Sequence, residues 1–248
     1  MKSTKTTLIT GASKRVGRDI ALTLAEAGSD ILIHYYRSRR DALQLKKDVE
    51  SRGVRAEVFK ADFSAGVRNL PSAIKRFVRD VYRVAGHVDL LVNNAAIFYP
   101  TPLGKITGRH WEDFMTVNLK SPFFLAQEIG MRMRRRKSGS IINLVDWTGL
   151  RPHPNYLPYA ISKAGLIAAT TGLAKALAPH VRVNCIAPGP ILPANGATAK
   201  QKRAVIKKTL LKRFGNPKDI SETVRYLWQG SDFVTGVMIP VDGGALGS

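Results

Sequence analysis

Short apolar runs alternate along the chain with longer stretches in which apolar residues recur every three or four positions. The short runs are 6–10 (TTLIT), 30–35 (DILIHY), 56–61 (AEVFKA), 88–92 (VDLLV), 140–145 (SIINLV), 181–187 (VRVNCIA) and 236–241 (GVMIPV). They are brief and mostly β-branched, as strands of a parallel sheet covered on both faces are. Helical periodicity fills the gaps, at 15–27, 39–52, 69–84, 110–136, 157–178, 199–212 and 217–229. The alternation predicts right-handed crossovers and an α/β fold: a doubly wound, Rossmann-type parallel sheet of about seven strands flanked by helices. No linker, repeat or low-complexity stretch interrupts it, so a single domain over 1–248 is expected.

Composition narrows the class only a little. At 248 residues and 44% hydrophobic content the chain can bury one large core. No apolar run reaches the roughly 18 residues of a membrane span, and the first residues, MKSTKTTLIT, lead straight into a strand. A cytoplasmic protein is expected on those grounds. Cys185 is the only cysteine, and His34, His87, His110, His153 and His180 are scattered without ligand spacing, so no metal is expected. The net charge of +21, from 39 basic and 18 acidic residues, favours anionic partners in general. A solvated basic surface accounts for it equally well. No specific nucleic-acid or membrane partner is expected.

The turn after the first strand, ITGASKRVGRDIA, places Gly11 and Gly17 six positions apart before a helix. Small residues there let the backbone approach a pyrophosphate at a helix N-terminus. The turn is no Walker A loop, and Ser13 stands where the middle glycine of G-x-G-x-x-G would be. The second strand ends in HYYRSRR, without the carboxylate that usually binds a ribose 2′-hydroxyl. Arg37 and Ser38 stand there instead, with Lys14 and Arg15 in the first turn. Guanidinium geometry suits a 2′-phosphate, so NADPH is the expected cofactor.

Taken in order, Thr10 to Gly17, Asp62, Asn93-Asn94-Ala95-Ala96, Asn118, Tyr159-x-x-x-Lys163, Pro188-Gly189 and Asp242-Gly243-Gly244 resemble the short-chain dehydrogenase/reductase family over essentially the whole chain. Two departures stand out. Arg15 replaces a glycine in the first turn, and Asp146 replaces the serine usually found thirteen residues before the tyrosine. Both departures, with KRVGR (14–18), HYYRS (34–38), NNAAIFYPTPL (93–103) and Tyr156, are similar to the pteridine reductase branch. The resemblance implies cofactor contacts at Gly11, Arg15, Val16, Gly17, Tyr35, Tyr36, Arg37, Ser38, Asp62, Phe63, Asn94, Ala95, Lys163, Pro188, Gly189 and Ile191. It implies substrate contacts at Arg15, Phe98, Asp146, Tyr156 and Tyr159. It also implies a substrate lid near 190–214 and a homo-oligomer, most commonly a tetramer.

Tyr159 and Lys163 fall one helical turn apart, and a nearby ammonium lowers a phenol's pKa. Tyr159 is therefore expected as proton donor, with Lys163 lowering its pKa. The family resemblance assigns Asn118 to a proton-relay water. An ionised Asp146 would repel an oxyanion, whereas a carboxyl group beside a C=N nitrogen can deliver a proton. Asp146 thus points to reduction of a pterin-like C=N bond, of a dihydropterin or dihydrofolate, with Asp146, Tyr159, Lys163 and Asn118 as the catalytic set. The alternative is an NADPH-dependent ketoreductase for carbonyls such as 3-oxoacyl thioesters. A pure binding protein has no use for Tyr159, Lys163 and Asn118.

Overall fold

The computed structural model describes residues 5–64, 68–193, 196 and 198–247. Seven strands form one all-parallel sheet: β1 (Lys5–Ile9), β2 (Ser29–Tyr35), β3 (Ala56–Lys60), β4 (Leu90–Asn93), β5 (Gly139–Leu144), β6 (Val181–Pro188) and β7 (Met238–Val241). Their spatial order is β3-β2-β1-β4-β5-β6-β7. The order reverses between β1 and β4, and ligands of such sheets bind outside the strands' carboxyl ends at that switch point.

Alternate strand residues feed two apolar layers, which is why the strands read as nearly continuous apolar runs. Ile9, Ile31, Ile33, Val92 and Ile186 face one side, under α1 (Arg15–Glu26), α2 (Arg39–Glu50) and α8 (Pro217–Arg225). Leu8, Leu32, Leu91, Ile141 and Val183 face the other, under α3 (Leu70–Ala85), α5 (Ser121–Arg135) and α6 (Leu157–Leu177). Burying each such side chain stabilises the fold by about 1.5–3 kcal/mol.

The helix expected over 110–136 is divided. α4 (Gly108–Met115) runs into a π-helical turn at Thr116–Lys120 before α5 begins. Pro122 has no N–H to give to the carbonyl of residue 118, so the regular ladder opens there. The Ser121 hydroxyl donates to the carbonyl oxygen of Thr116 at 2.7 Å and stabilises the wider turn. Such turns concentrate at functional sites, and this one carries Asn118.

The helix expected over 199–212 is also shorter. α7 (Ala199–Lys207) ends in tightened bonds from Lys208 N to Val205 O and from Thr209 N to Ile206 O. Of the expected lid at 190–214, positions 194, 195 and 197 lie outside the described residues. Among the described residues no helix is long and apolar enough to cross a membrane.

Candidate active site

A cleft of about 1050 Å³ opens at the carboxyl ends of the strands. Its lining includes every site residue expected from the sequence except Asn118 and Tyr156. One wall is the turn between β1 and α1. Gly11 adopts φ +61°, and a Cβ there would lie 3.0 Å from Ala95 Cα. At Gly17 a Cβ would lie 2.6 Å from both Asn94 Nδ2 and Gly11 O. Asn94 Nδ2 donates to Thr10 O at 2.9 Å and to Gly11 O at 3.0 Å, and the Thr10 hydroxyl accepts from Asn94 N and Ala95 N. The turn is thus tied to the loop after β4. Arg15, where the family has glycine, takes φ +53°. A side chain in that conformation costs about 1–3 kcal/mol, and such strain collects at functional sites.

At the end of β2, Tyr35 is buried while Tyr36 and Arg37 are exposed, with the guanidinium 4.8 Å above the Tyr36 ring. Lys14 Nζ pairs with Asp41 at 3.0 Å. The glycine-floored turn, the cations at positions 14, 15 and 37, and the missing carboxylate at the strand end fit NADPH, which is the cofactor of this chain. Reversing the charge at Arg37 removes a phosphate donor and puts a carboxylate in its place. In Arg37→Asp the NADPH-over-NADH preference should fall about tenfold or more, read from kcat/KM with each cofactor.

The opposite wall comes from β5 and α6. The Tyr159 hydroxyl donates to Asp146 Oδ2 at 3.0 Å. Asp146 Oδ1 accepts from Thr148 N at 2.8 Å and from the Thr148 hydroxyl at 2.7 Å, and so caps a short 3₁₀ turn at Trp147–Gly149. Lys163 Nζ donates to Leu144 O at 2.8 Å and lies 5.8 Å from the Tyr159 ring centroid. Burial raises the Asp146 carboxyl above the usual carboxylate range, against the hydrogen bonds from Thr148 and the charge of Lys163. Burial, then the charge of Asp146 and the hydrogen bond to it, hold Tyr159 well above a free phenol. Lys163 is pushed down to about 8 by its own burial.

The expectation that Lys163 lowers the Tyr159 pKa is therefore corrected. The ammonium gives one hydrogen bond to Leu144 O, and Asp146 is what the phenol touches. Asn118 is buried. Its Oδ1 accepts from Ile97 N at 2.9 Å and its Nδ2 donates to Ile97 O at 3.0 Å, so it holds the loop after β4. Tyr156 stacks on Phe98, centroids 4.8 Å apart at 9°, while Tyr159 meets the same ring edge-on at 4.8 Å. One face of Phe98 is thus covered by Tyr156. His34, which the sequence offered only as one of five scattered histidines and as the first residue of HYYRS, also lines the cleft. The available signal was a histidine inside an otherwise apolar strand.

A family model described as enoyl-(acyl carrier protein) reductase matches residues 11–245. The chain belongs to the short-chain dehydrogenase/reductase family. The 3-oxoacyl-[acyl-carrier-protein] reductase FabG of Staphylococcus epidermidis is 34% identical over 244 residues, covering 97% of this chain and 98% of that protein. The protein of the same name in Aquifex aeolicus is 30% identical over 97% of this chain and 96% of its own length. A short-chain type dehydrogenase/reductase of Picea abies is 31% identical over 96% and 90%.

These relatives overturn the pteridine reductase expectation and the pterin or folate substrate with it. Nearly full-length similarity runs to proteins named for reducing 3-oxoacyl groups, which are carbonyls. The expectation had rested on reading Asp146 as an anion that a carbonyl oxygen would not tolerate. Burial raises the pKa of that carboxyl, which weakens the objection.

Proposed function

We propose that this short-chain dehydrogenase/reductase is an NADPH-dependent ketoreductase acting on 3-oxoacyl thioesters or closely similar ketones. The observation that carries the reading is the 3.0 Å contact between Tyr159 and the buried Asp146 carboxyl, whose pKa burial raises. NADPH, when bound, supplies a hydride to the carbonyl carbon. Tyr159 delivers its proton to the carbonyl oxygen as negative charge develops there. Because Asp146 Oδ1 already accepts two bonds from Thr148, Oδ2 is the oxygen that carries the proton when the carboxyl is neutral, and Tyr159 then turns its own hydroxyl from Oδ2 to the substrate. A neutral carboxyl donates to an oxyanion as a serine hydroxyl does. The same contact lets Asp146 return a proton to Tyr159 after transfer. Lys163, with one of its three donors on Leu144 O, keeps two for the cofactor's sugar. The names of the relatives support the substrate class.

A homotetramer belongs to this reading, as the resemblance implied. Trp111, Met131 and Ile161 leave apolar surface exposed on α4, α5 and α6, which a second copy would cover.

The direct test follows NADPH oxidation with an acetoacetyl thioester, a simple ketone and a dihydropterin under one set of conditions. The thioester should be turned over fastest; a dihydropterin that outruns it refutes the reading. Asp146 supplies a second check. It donates only while protonated, so the rate should be full below its raised pKa and fall as pH rises through it. Asp146→Ser should keep the thioester rate within about tenfold and lose that alkaline limb. Asp146→Ala should lose about 10²–10³-fold, the usual effect of one oxyanion donor. Full activity in the alanine variant would make Asp146 a loop cap and nothing more.

A further inference from the structure

We infer that His34 is a positioning residue for the cofactor, setting the Thr10–Gly11 peptide that floors the NADPH turn. His34 lies near the carboxyl end of β2 and is buried. Gly11 N donates to His34 Nδ1 at 3.2 Å, and His34 Nε2 lies 3.2 Å from Ala61 O. An amide N–H requires an acceptor and a carbonyl requires a donor. The two bonds together therefore select the tautomer with the proton on Nε2.

The opposite pole of the same peptide is also held. Thr10 O accepts from Asn94 Nδ2 at 2.9 Å, and Gly11 O accepts from that nitrogen at 3.0 Å. The His34 carbonyl oxygen accepts from Ala12 N at 3.1 Å, so this one residue grips two consecutive amides of the turn. Gly11 is in the left-handed region, where a glycine peptide has alternatives close in energy. Without its acceptor, the part-buried Gly11 N–H would favour rotation of that peptide out of the geometry a pyrophosphate needs.

The imidazole is itself fixed in place. It stacks on Phe63 at 4.6 Å and 20°, and meets Phe77 edge-on at 5.4 Å. Phe63 and Ala61 line the far side of the cleft, beyond β3. His34 therefore joins the phosphate turn to the segment after β3 through one rigid ring. Burial lowers its pKa to about 4, so it remains a neutral acceptor in ordinary buffers.

Two isosteres separate the bonds. Asparagine places an acceptor oxygen near the Nδ1 position, and glutamine places a donor nitrogen near Nε2. His34→Asn should therefore keep the Gly11 bond and lose Ala61, and His34→Gln should do the reverse. NADPH affinity is measured by fluorescence titration without an oxidised substrate, so a failure of the thioester assay leaves this test intact. Both variants should lose similar thermal stability. His34→Asn should hold NADPH within about threefold, whereas His34→Gln should bind about tenfold or more weakly, as expected when a part-buried N–H loses its acceptor. Equal losses of affinity in the two variants would reduce His34 to a packing residue and overturn the proposal. The unmodified protein gives an independent reading through the ¹⁵N shifts of the imidazole. The proton must be on Nε2 both without and with NADPH; a proton on Nδ1 in either state refutes the assignment.

Discussion

Tyr159→Phe should lower thioester reduction by about 10²–10⁴-fold, the range for loss of a general acid, and leave NADPH binding intact. The tyrosine ring is packed edge-on against Phe98 at 4.8 Å and Phe114 at 6.0 Å, and phenylalanine keeps both contacts. Asp146 loses one donor but retains both from Thr148. The fold therefore has little reason to respond, and the deficit should be in kcat. Single-turnover oxidation of bound NADPH measures it directly. A variant whose single-turnover rate matched the unmodified enzyme would remove Tyr159 from the proton path.

Gly17→Ala should show the opposite pattern, with cofactor binding failing before chemistry is reached. A Cβ at this position would be 2.6 Å from Gly11 O and 3.0 Å from Ala12 Cα, both of them backbone, as well as 2.6 Å from Asn94 Nδ2. A side chain can rotate away from such a clash, but backbone has to move. Either the first turn of α1 shifts or Asn94 releases Thr10 and Gly11. Overpacking of this kind costs about 1–3 kcal/mol of stability. If the strain is relieved at the cofactor turn, NADPH affinity should drop up to about a hundredfold. Gly108→Ala is the control, since no atom lies within 4 Å of a Cβ there. Titration with NADPH and thermal melts of both variants decide it. Equal affinity in the two would mean that the turn yields elsewhere.

Local chemistry made the frame of this site legible before any contact was known. Gly11 and Gly17 mark a turn because close approach of backbone forbids side chains there. Tyr159 and Lys163 share a helix face because four residues make about one turn. Arg37 without an acid beside it announced a phosphate. Each of these readings depends on residues close in sequence. The division of the helix at 116–120 was less legible, although Pro122 was present to signal it. Asn118 draws its role from Ile97, twenty-one positions away.

By itself, the sequence determined the seven parallel strands, the NADPH turn and the tyrosine–lysine pair, because periodicity and spacing are properties of the chain alone. Only the tertiary structure decided what these groups do to one another. Burial raises the pKa of the Asp146 carboxyl that Tyr159 touches, and Leu144 O engages the ammonium that was expected to act on the phenol. His34 became a clamp on Gly11 only when β2 was laid beside β1. Desolvation and hydrogen-bond pairing depend on which elements stack together, and residues distant in sequence set both.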